Sequence, residues 1–361
     1  MLGSYAMESD KHIVGPDDIL LVTGATGFIG AKVVECLINR GFRHIRCIVR
    51  PSSDPSKVEA LRACQRKDAR VEVIQGNLLA REDCAAAVRD VSVIFHLAVG
   101  AGTKSYPDAF MNSVVTTRNL VEAAGMEKRL KRFVNVSSLA VYSNREKPRR
   151  RVLDESCPVE TEIALREAYC FAKVRQDQLV TEYCRKLGIP YVIVRPGYVL
   201  GPGHETISNR VGIDTFGLFL HLGGANTVPF TYVDNCAEAI ILAGTQKTDV
   251  DGEVFNVIDD DLPSSRQFLR LYKRNVRNFH SLYLPHFVSY ALCFLWEKYS
   301  VWSKGQLIPA FNRQVWRVFW EKTFYTNEKI KTRLGWIPKV SMAEGFRRYF
   351  EGCRAAGGHH A

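Results

Sequence analysis

Ile19-Leu20-Leu21-Val22-Thr23-Gly24-Ala25-Thr26-Gly27-Phe28-Ile29-Gly30 is the stretch from which the fold can be read. Its first four residues form a short apolar run that stops at Thr23-Gly24, as a strand buried on both faces would. From Gly30 to Asn39 the apolar period changes: Val33, Val34, Leu37 and Ile38 recur at helical spacing. The glycines between strand and helix each have a physical use. Gly24 allows the tight turn, Gly27 lets the backbone approach a pyrophosphate, and Gly30 permits close packing of helix on sheet. The helix N-terminus then offers N–H groups and a partial positive charge to the phosphates. Thr26, Phe28 and Ile29 complete this cradle. Glycines also mark ordinary turns, but a strand before and a helix after make dinucleotide binding the reading here.

Outward from this turn the same alternation continues. Further strands are expected at 45–49, 71–74, 91–97, 133–136 and 191–195, with helices at about 56–66, 81–88, 112–124 and 166–186 between them. Parallel strands need long crossovers, and successive right-handed crossovers give an α/β doubly wound parallel sheet, the Rossmann fold. Beyond Pro196 the rhythm breaks. We therefore expect a dinucleotide-binding domain over 14–199 with return elements at 229–257. A smaller, mostly C-terminal substrate-binding lobe is expected over 200–228 and 258–350.

After the second strand comes Ile48-Val49-Arg50-Pro51-Ser52-Ser53-Asp54. An NAD site usually offers an acidic residue there to the ribose 2′-hydroxyl. Arg50 takes that place, and a guanidinium can stack on adenine and pair with a 2′-phosphate. NADP(H) is therefore expected over NAD(H), with Asp54, four residues on, as the rival that would serve NAD.

The 361 residues carry a net charge of +11, which suits nucleic acid, an anionic membrane, a phosphorylated ligand or merely a solvated basic surface. The densest basic runs, 127–132 and 145–151, are not interleaved with aromatics, so no nucleic-acid partner is expected. The ten cysteines contain no C-x-x-C pair, which speaks for reduced thiols in a cytoplasmic protein and against a disulfide framework or a metal site. No secretory signal is read at the start. A homodimer is left open.

The motifs, taken together, resemble those of the extended short-chain dehydrogenase/reductase family, from Ile19 to about Trp336. In order they are Thr23 to Gly30, Gly76-Asn77-Leu78, His96-Leu97-Ala98, Asn112, Val136-Ser137-Ser138, Tyr169-Cys170-Phe171-Ala172-Lys173, Arg195-Pro196-Gly197, Val233-Asp234-Asn235 and Leu334-Gly335-Trp336-Ile337-Pro338. The resemblance implies hydride transfer at a hydroxyl or carbonyl carbon. Tyr169 would be the acid/base and Ser138 the hydrogen-bond donor to the substrate oxygen, with Ser137 as its rival. Lys173, one helical turn beyond Tyr169 and on the same face, would hold the nicotinamide ribose and lower the tyrosine pKa. Pro196 and Gly197 would let the nicotinamide lie close, and Asn77, Leu78 and Ala98 would line the cofactor. Asn77 departs from the aspartate the family usually has beside the adenine. Asn112 is expected to bridge helix and active-site backbone.

Within this family two positions speak against sugar-nucleotide chemistry. Leu139-Ala140 stand where dehydratases carry an Asp-Glu pair, and Tyr198 stands where sugar-nucleotide members tend to have Asn. The run Ser281 to Trp296 contains no Asp, Glu, Lys or Arg. It reads as a core helix starting near Pro285, a substrate lid, or an interfacial membrane contact. The segment resembles the 3β-hydroxysteroid dehydrogenase branch, which implies a hydrophobic, steroid-like or ketone substrate. Arg149-Arg150-Arg151 points the other way, towards a phosphorylated or carboxylated one. A sugar-nucleotide epimerase or reductase is the alternative, and a non-catalytic cofactor-binding regulator the remote one.

Overall fold

The computed structural model describes residues 11–64, 68–100, 105–144, 152–204, 206–215, 217–303 and 312–357. The basic run 145–151 lies outside them.

Strand β1 (Ile19–Thr23) leads through the glycine turn to α1 (Phe28–Asn39), followed by β2 (His44–Val49), α2 (Pro55–Ala63), β3 (Arg70–Gln75), α3 (Arg81–Val88) and β4 (Val91–His96). A helical segment then passes from α4 (Tyr106–Ala109) through a π-helical turn at Phe110–Val115 into α5 (Thr116–Ala124) and ends before β5 (Arg132–Val136). The short β6 (Val152–Leu153) precedes α6 (Ala168–Leu187) and β7 (Tyr191–Pro196). After β7 come β8 (Tyr198–Leu200), β9 (Gly212–Thr215), β10 (Leu218–His221), β11 (Phe230–Tyr232), α7 (Val233–Thr245) and β12 (Glu253–Val257).

Seven of these strands form one parallel sheet in the order β12-β7-β5-β4-β1-β2-β3. The direction of winding reverses between β1 and β4, and ligands bind at the carboxyl ends of strands at such a reversal. Alternate residues of each strand enter opposite layers. Leu20, Val22, Val93, Phe95, Val134, Val192 and Val194 pack under α1 and α7, whereas Leu21, Ile94, Phe133 and Ile193 pack under α3, α5 and α6. Both faces are therefore apolar, which is why each strand reads as an unbroken hydrophobic run. Each such Leu, Ile or Val contributes roughly 1.5–3 kcal/mol by leaving water.

The remaining chain builds smaller sheets and helices beside the main sheet. β8 pairs with β11, and β9, β10 and β13 (Ser281–Tyr283) form a three-stranded sheet. α8 (Ser265–Asn275) begins with a capping box in which Ser264 and Gln267 satisfy each other's backbone N–H groups. Its Phe268 and Tyr272 meet Phe346, Tyr349 and Phe350 in an aromatic core. Between these elements lie α9 (His286–Trp302), α10 (Arg313–Phe319), β14 (Phe324–Tyr325) and α11 (Glu328–Leu334), and α12 (Met342–Gly357) follows them.

The charge-free run does not become a core helix. It splits into β13 and most of α9, with Pro285 as the residue that precedes the helix rather than its first-turn proline. Only Ser289, Cys293 and Ser300 of α9 are buried, while Phe287 and Val301 are each 77% exposed. No described helix is long and apolar enough to cross a membrane. Asn112 also differs from expectation: its side chain donates to Asp108 within its own helical segment, at 2.8 Å to Oδ1, and among the described residues it makes no bridge to the active-site backbone. All ten cysteines are free.

Candidate functional site

β1 and β4 lie side by side, with Thr23 paired to His96, and their chains diverge beyond these residues. The gap is kept open by missing side chains. Gly24 has φ +71°, and a Cβ on it would lie 2.9 Å from the Ala98 nitrogen. A Cβ on Gly30 would stand 2.2 Å from the Gly24 carbonyl oxygen. α1 starts after Gly27 with no side-chain cap and no acidic residue in its first turn, so its free N–H groups and dipole remain available to an anion. This cradle fits a dinucleotide pyrophosphate.

A cleft of about 640 Å3 opens from it. Gly24, Gly27, Phe28, Ile29 and Gly30 line one part, and Ser138, Tyr169, Lys173, Pro196 and Gly197 another. Ten of the sequence-selected residues are thus brought to one cavity. Gly197 sits where a Cβ would be 2.1 Å from the Pro229 carbonyl oxygen. Thr26, Arg50, Asn77, Leu78 and Ala98 are not among its walls. Arg50 is exposed at the end of β2. Asp54, its rival, caps α2 by accepting from the Ser56 N–H at 2.9 Å and the Ser56 hydroxyl at 2.7 Å. The Asn77 side-chain oxygen accepts the Leu79 N–H at 3.0 Å, and the buried Leu78 has its carbonyl held by Asn119 at 3.0 Å.

α6 places Tyr169 in its first turn and Lys173 one turn later, above the end of β5, which delivers Ser138. Tyr169 is 39% exposed, open to the cleft. The protein packed around it pushes its hydroxyl above the ordinary value of 10, and the hydrogen bond with Ser138 pulls the other way. In the protein without cofactor, burial outweighs any lowering of Tyr169 by Lys173. The Lys173 ammonium donates to the Val136 carbonyl at 2.7 Å and to Gln176 Oε1 at 2.9 Å, and burial brings its pKa down to about 8. In the protein alone Tyr169 therefore holds its proton, the form that can donate one.

A buried polar network supports this pair. Gln176 donates to Thr117 at 2.8 Å and meets His96 Nε2 at 3.1 Å, and His96 Nδ1 pairs with the Thr23 hydroxyl at 2.8 Å. Burial lowers His96 to about 3, so the ring is neutral. Beside it, Asp177 accepts from Asn135 at 2.9 Å, Ser137 at 2.9 Å and Arg195 at 3.0 Å. Both Ser137 and Ser138 line the cleft, but the Ser137 hydroxyl is given to Asp177, whereas Ser138 hydrogen-bonds with Tyr169. Sequence reading missed Glu167, His204, Arg210 and Phe319, which also line the cavity. Of these only Glu167 had a local signal, two residues before Tyr169; the others come from loops and helices with no motif.

The family model "NAD dependent epimerase/dehydratase family" matches residues 20–257. Cinnamoyl-CoA reductase 1 of Oryza sativa subsp. japonica is 32% identical over 202 residues, 55% of this chain, and the match spans only 58% of that protein's length. A 4-hydroxy-2-methyl-3-oxo-4-farnesyl-3,4-dihydroquinoline-1-oxide ketoreductase of Stigmatella aurantiaca is 27% identical over 90% of this chain and 93% of its own length. The structure of UDP-glucuronic acid 4-epimerase from Bacillus cereus, in complex with UDP-glucuronic acid and NAD, superposes with a TM-score of 0.70 at 21% identity, covering 93% of this chain and 99% of that one. Fold, motif order and the match over 20–257 agree: the chain belongs to the NAD dependent epimerase/dehydratase family.

Proposed function

We propose that the protein is an NADP(H)-dependent oxidoreductase that interconverts a carbonyl and a hydroxyl on a hydrophobic substrate. The observation that carries this is the meeting of Ser138, Tyr169 and Lys173 with the glycine cradle in one cleft. The bound nicotinamide would supply or accept the hydride. In the reducing direction Tyr169 gives its proton to the substrate oxygen as charge develops there, and Ser138 donates a hydrogen bond to the same oxygen. Lys173 holds the ribose hydroxyls, and its charge stabilises the tyrosinate left behind. Segments 200–228 and 258–350 serve as the substrate-binding lobe of a dinucleotide domain over 14–199 and 229–257.

Two relatives named as reductases support this reading over sugar-nucleotide chemistry. So do Leu139 and Ala140, which line the cleft after Ser138 and cannot transfer protons. The test is NADPH oxidation with hydrophobic ketones in the presence and absence of excess UDP or dTDP. Turnover that the nucleotides leave unchanged is expected. Strong inhibition by them, or turnover of sugar nucleotides alone, would move the protein to the epimerase reading.

The preference for NADP(H) is supported by Arg50 being exposed at the β2 end while Asp54 is occupied as a helix cap. Arg50→Ala is expected to weaken NADPH about tenfold, the order of one charge-assisted hydrogen bond to a phosphate, and to leave NADH nearly unchanged. Fluorescence titration of both cofactors measures this, and a native preference for NADH refutes it.

The reading includes a peripheral membrane contact through 281–296. In its support, the outward face of α9 carries Phe287, Leu295, Val301 and Trp302. The stretch 266–322 around it has ten Lys and Arg against two acidic residues. An apolar face with a basic surround binds anionic lipid surfaces without spanning them. Co-sedimentation with phosphatidylserine vesicles, weakened by Phe287→Asp, is the expected result. A supernatant that keeps all of the native protein excludes it.

A further inference from the structure

Arg210 lies in the segment between β8 and β9 and lines the cleft that holds Ser138 and Tyr169. Its guanidinium is held in place by neutral groups. Nη1 donates to the Val318 carbonyl at 2.8 Å and to the Tyr325 hydroxyl at 3.1 Å, and the group lies 5.5 Å from the centre of the Phe319 ring. Tyr325 in turn packs on the cluster that contains Leu139 and Val141, directly after Ser138. Val318, Phe319 and Tyr325 therefore fix this cation on the wall of the cavity that Ser138 and Tyr169 also line.

Among the described residues no carboxylate is paired with Arg210, whereas the buried Arg195 and Arg166 each have one. A half-buried guanidinium that is immobilised but not neutralised forfeits side-chain freedom and hydration without a compensating charge. The same arrangement pre-organises its remaining N–H groups for an anion arriving from the cleft. Phe319, Tyr198, Pro229 and Leu139 make much of the walls apolar, with Ser208 and Asn209 as polar neighbours of Arg210.

Building on the oxidoreductase reading above, we propose that the substrate is a carbonyl compound with an apolar body and a single carboxylate, and that Arg210 binds the carboxylate while Tyr169 and Ser138 meet the carbonyl. The charge count selects a carboxylate over a diphosphate. The charged side chains among the described cleft walls are Lys173, Arg210 and Glu167; Glu167 is paired with Arg166, and Lys173 is given to the cofactor ribose in the reading above, which leaves Arg210 for the substrate. One guanidinium neutralises one carboxylate. A diphosphate would leave charge unpaired against apolar walls, which is costly.

The experiment is NADPH oxidation with aryl keto acids of increasing chain length, each beside its methyl ester. It is run on the native enzyme, Arg210→Met and Arg210→Lys. For the best chain length the native enzyme should favour acid over ester in kcat/KM by about tenfold or more, through KM. The ratio should fall close to unity in Arg210→Met. It should be intermediate in Arg210→Lys, which keeps the charge and loses the planar fork. The readout is a ratio within each variant, so a general loss of activity cancels. On the native enzyme, saturated arylalkanoates should compete with the keto acids and their esters should not. Esters reduced as well as acids, or an acid preference that survives in Arg210→Met, overturns the role of Arg210 and leaves the oxidoreductase reading standing. No oxidation with any member, by protein that binds NADPH in a titration, overturns both.

Discussion

Tyr169→Phe is expected to reduce turnover by about 10²–10⁴-fold, the usual worth of a positioned general acid, with NADPH affinity little changed. The argument is local. Tyr169 faces the cleft beside Ser138, and its packing needs the ring rather than the hydroxyl. Removing the oxygen deletes the proposed proton donor and leaves α6, with its buried Cys170, Lys173, Gln176 and Asp177, intact. The effect should therefore fall on kcat more than on KM. The native pH profile carries a linked signature. Lys173 has its pKa brought down by burial to about 8, so its positive charge is lost as the pH rises past that value. Carbonyl reduction should accordingly fall on the alkaline side of about 8, while Tyr169, raised above 10, still holds its proton. Stopped-flow single turnovers across pH measure both. A Tyr169→Phe enzyme that keeps most of its rate would remove the tyrosine from the mechanism.

Asp177→Ala is expected to cost stability of about 3–5 kcal/mol, the range for removing one partner of a buried ion pair. Asp177 and Arg195 are both nearly inaccessible, and the carboxylate also takes hydrogen bonds from Asn135 and Ser137. Deleting it leaves a buried guanidinium uncompensated and two further donors without an acceptor. Burial pushes the Asp177 carboxyl up, and Arg195 and Ser137 pull it back, so these partners are what keep a charge tolerable there. Arg195 also stacks 4.7 Å above the centre of the Tyr142 ring, whose hydroxyl donates to Asn256, so the damage should spread across β5, β7 and β12. Urea unfolding of the cofactor-free protein tests this. The double variant Asp177→Ala/Arg195→Met should recover part of the loss, because it removes the stranded charge as well. Equal stability of the native and Asp177→Ala proteins would show that the pair is not structural.

The parallel sheet and the glycine cradle were legible in the sequence because they rest on local patterns. Leu20-Leu21-Val22 must be apolar on both sides when helices cover both faces, and Gly24 and Gly30 must lack side chains where backbones approach within 3 Å of a would-be Cβ. Helix geometry puts Tyr169 and Lys173 on one face, but it was the resemblance, through the order of the motifs, that singled them out, and the structure places both on the cleft wall. What Lys173 does with its charge was not legible. That depends on Gln176, His96 and Thr23, which come from three separate elements and meet only in the fold. The fate of Ser281 to Trp296 was also undecided in sequence, since an apolar helix looks the same whether its face is covered or bare. Tertiary packing buries Ser289, Cys293 and Ser300 of α9 and leaves Phe287 and Val301 outside. Asn112 was misjudged for a related reason: its amide found Asp108 one turn back, a nearer partner than the active-site backbone. Arg210 carried no motif at all, and its place on the cleft wall is set by Val318, Phe319 and Tyr325, more than a hundred residues along the chain. Periodicity and glycine spacing are properties of neighbours in sequence, so the chain alone determined the fold and the cradle. The charge state of the lysine, the exposed helix and the placing of Arg210 on the cleft wall depend on contacts between distant segments, and only the folded structure could decide them.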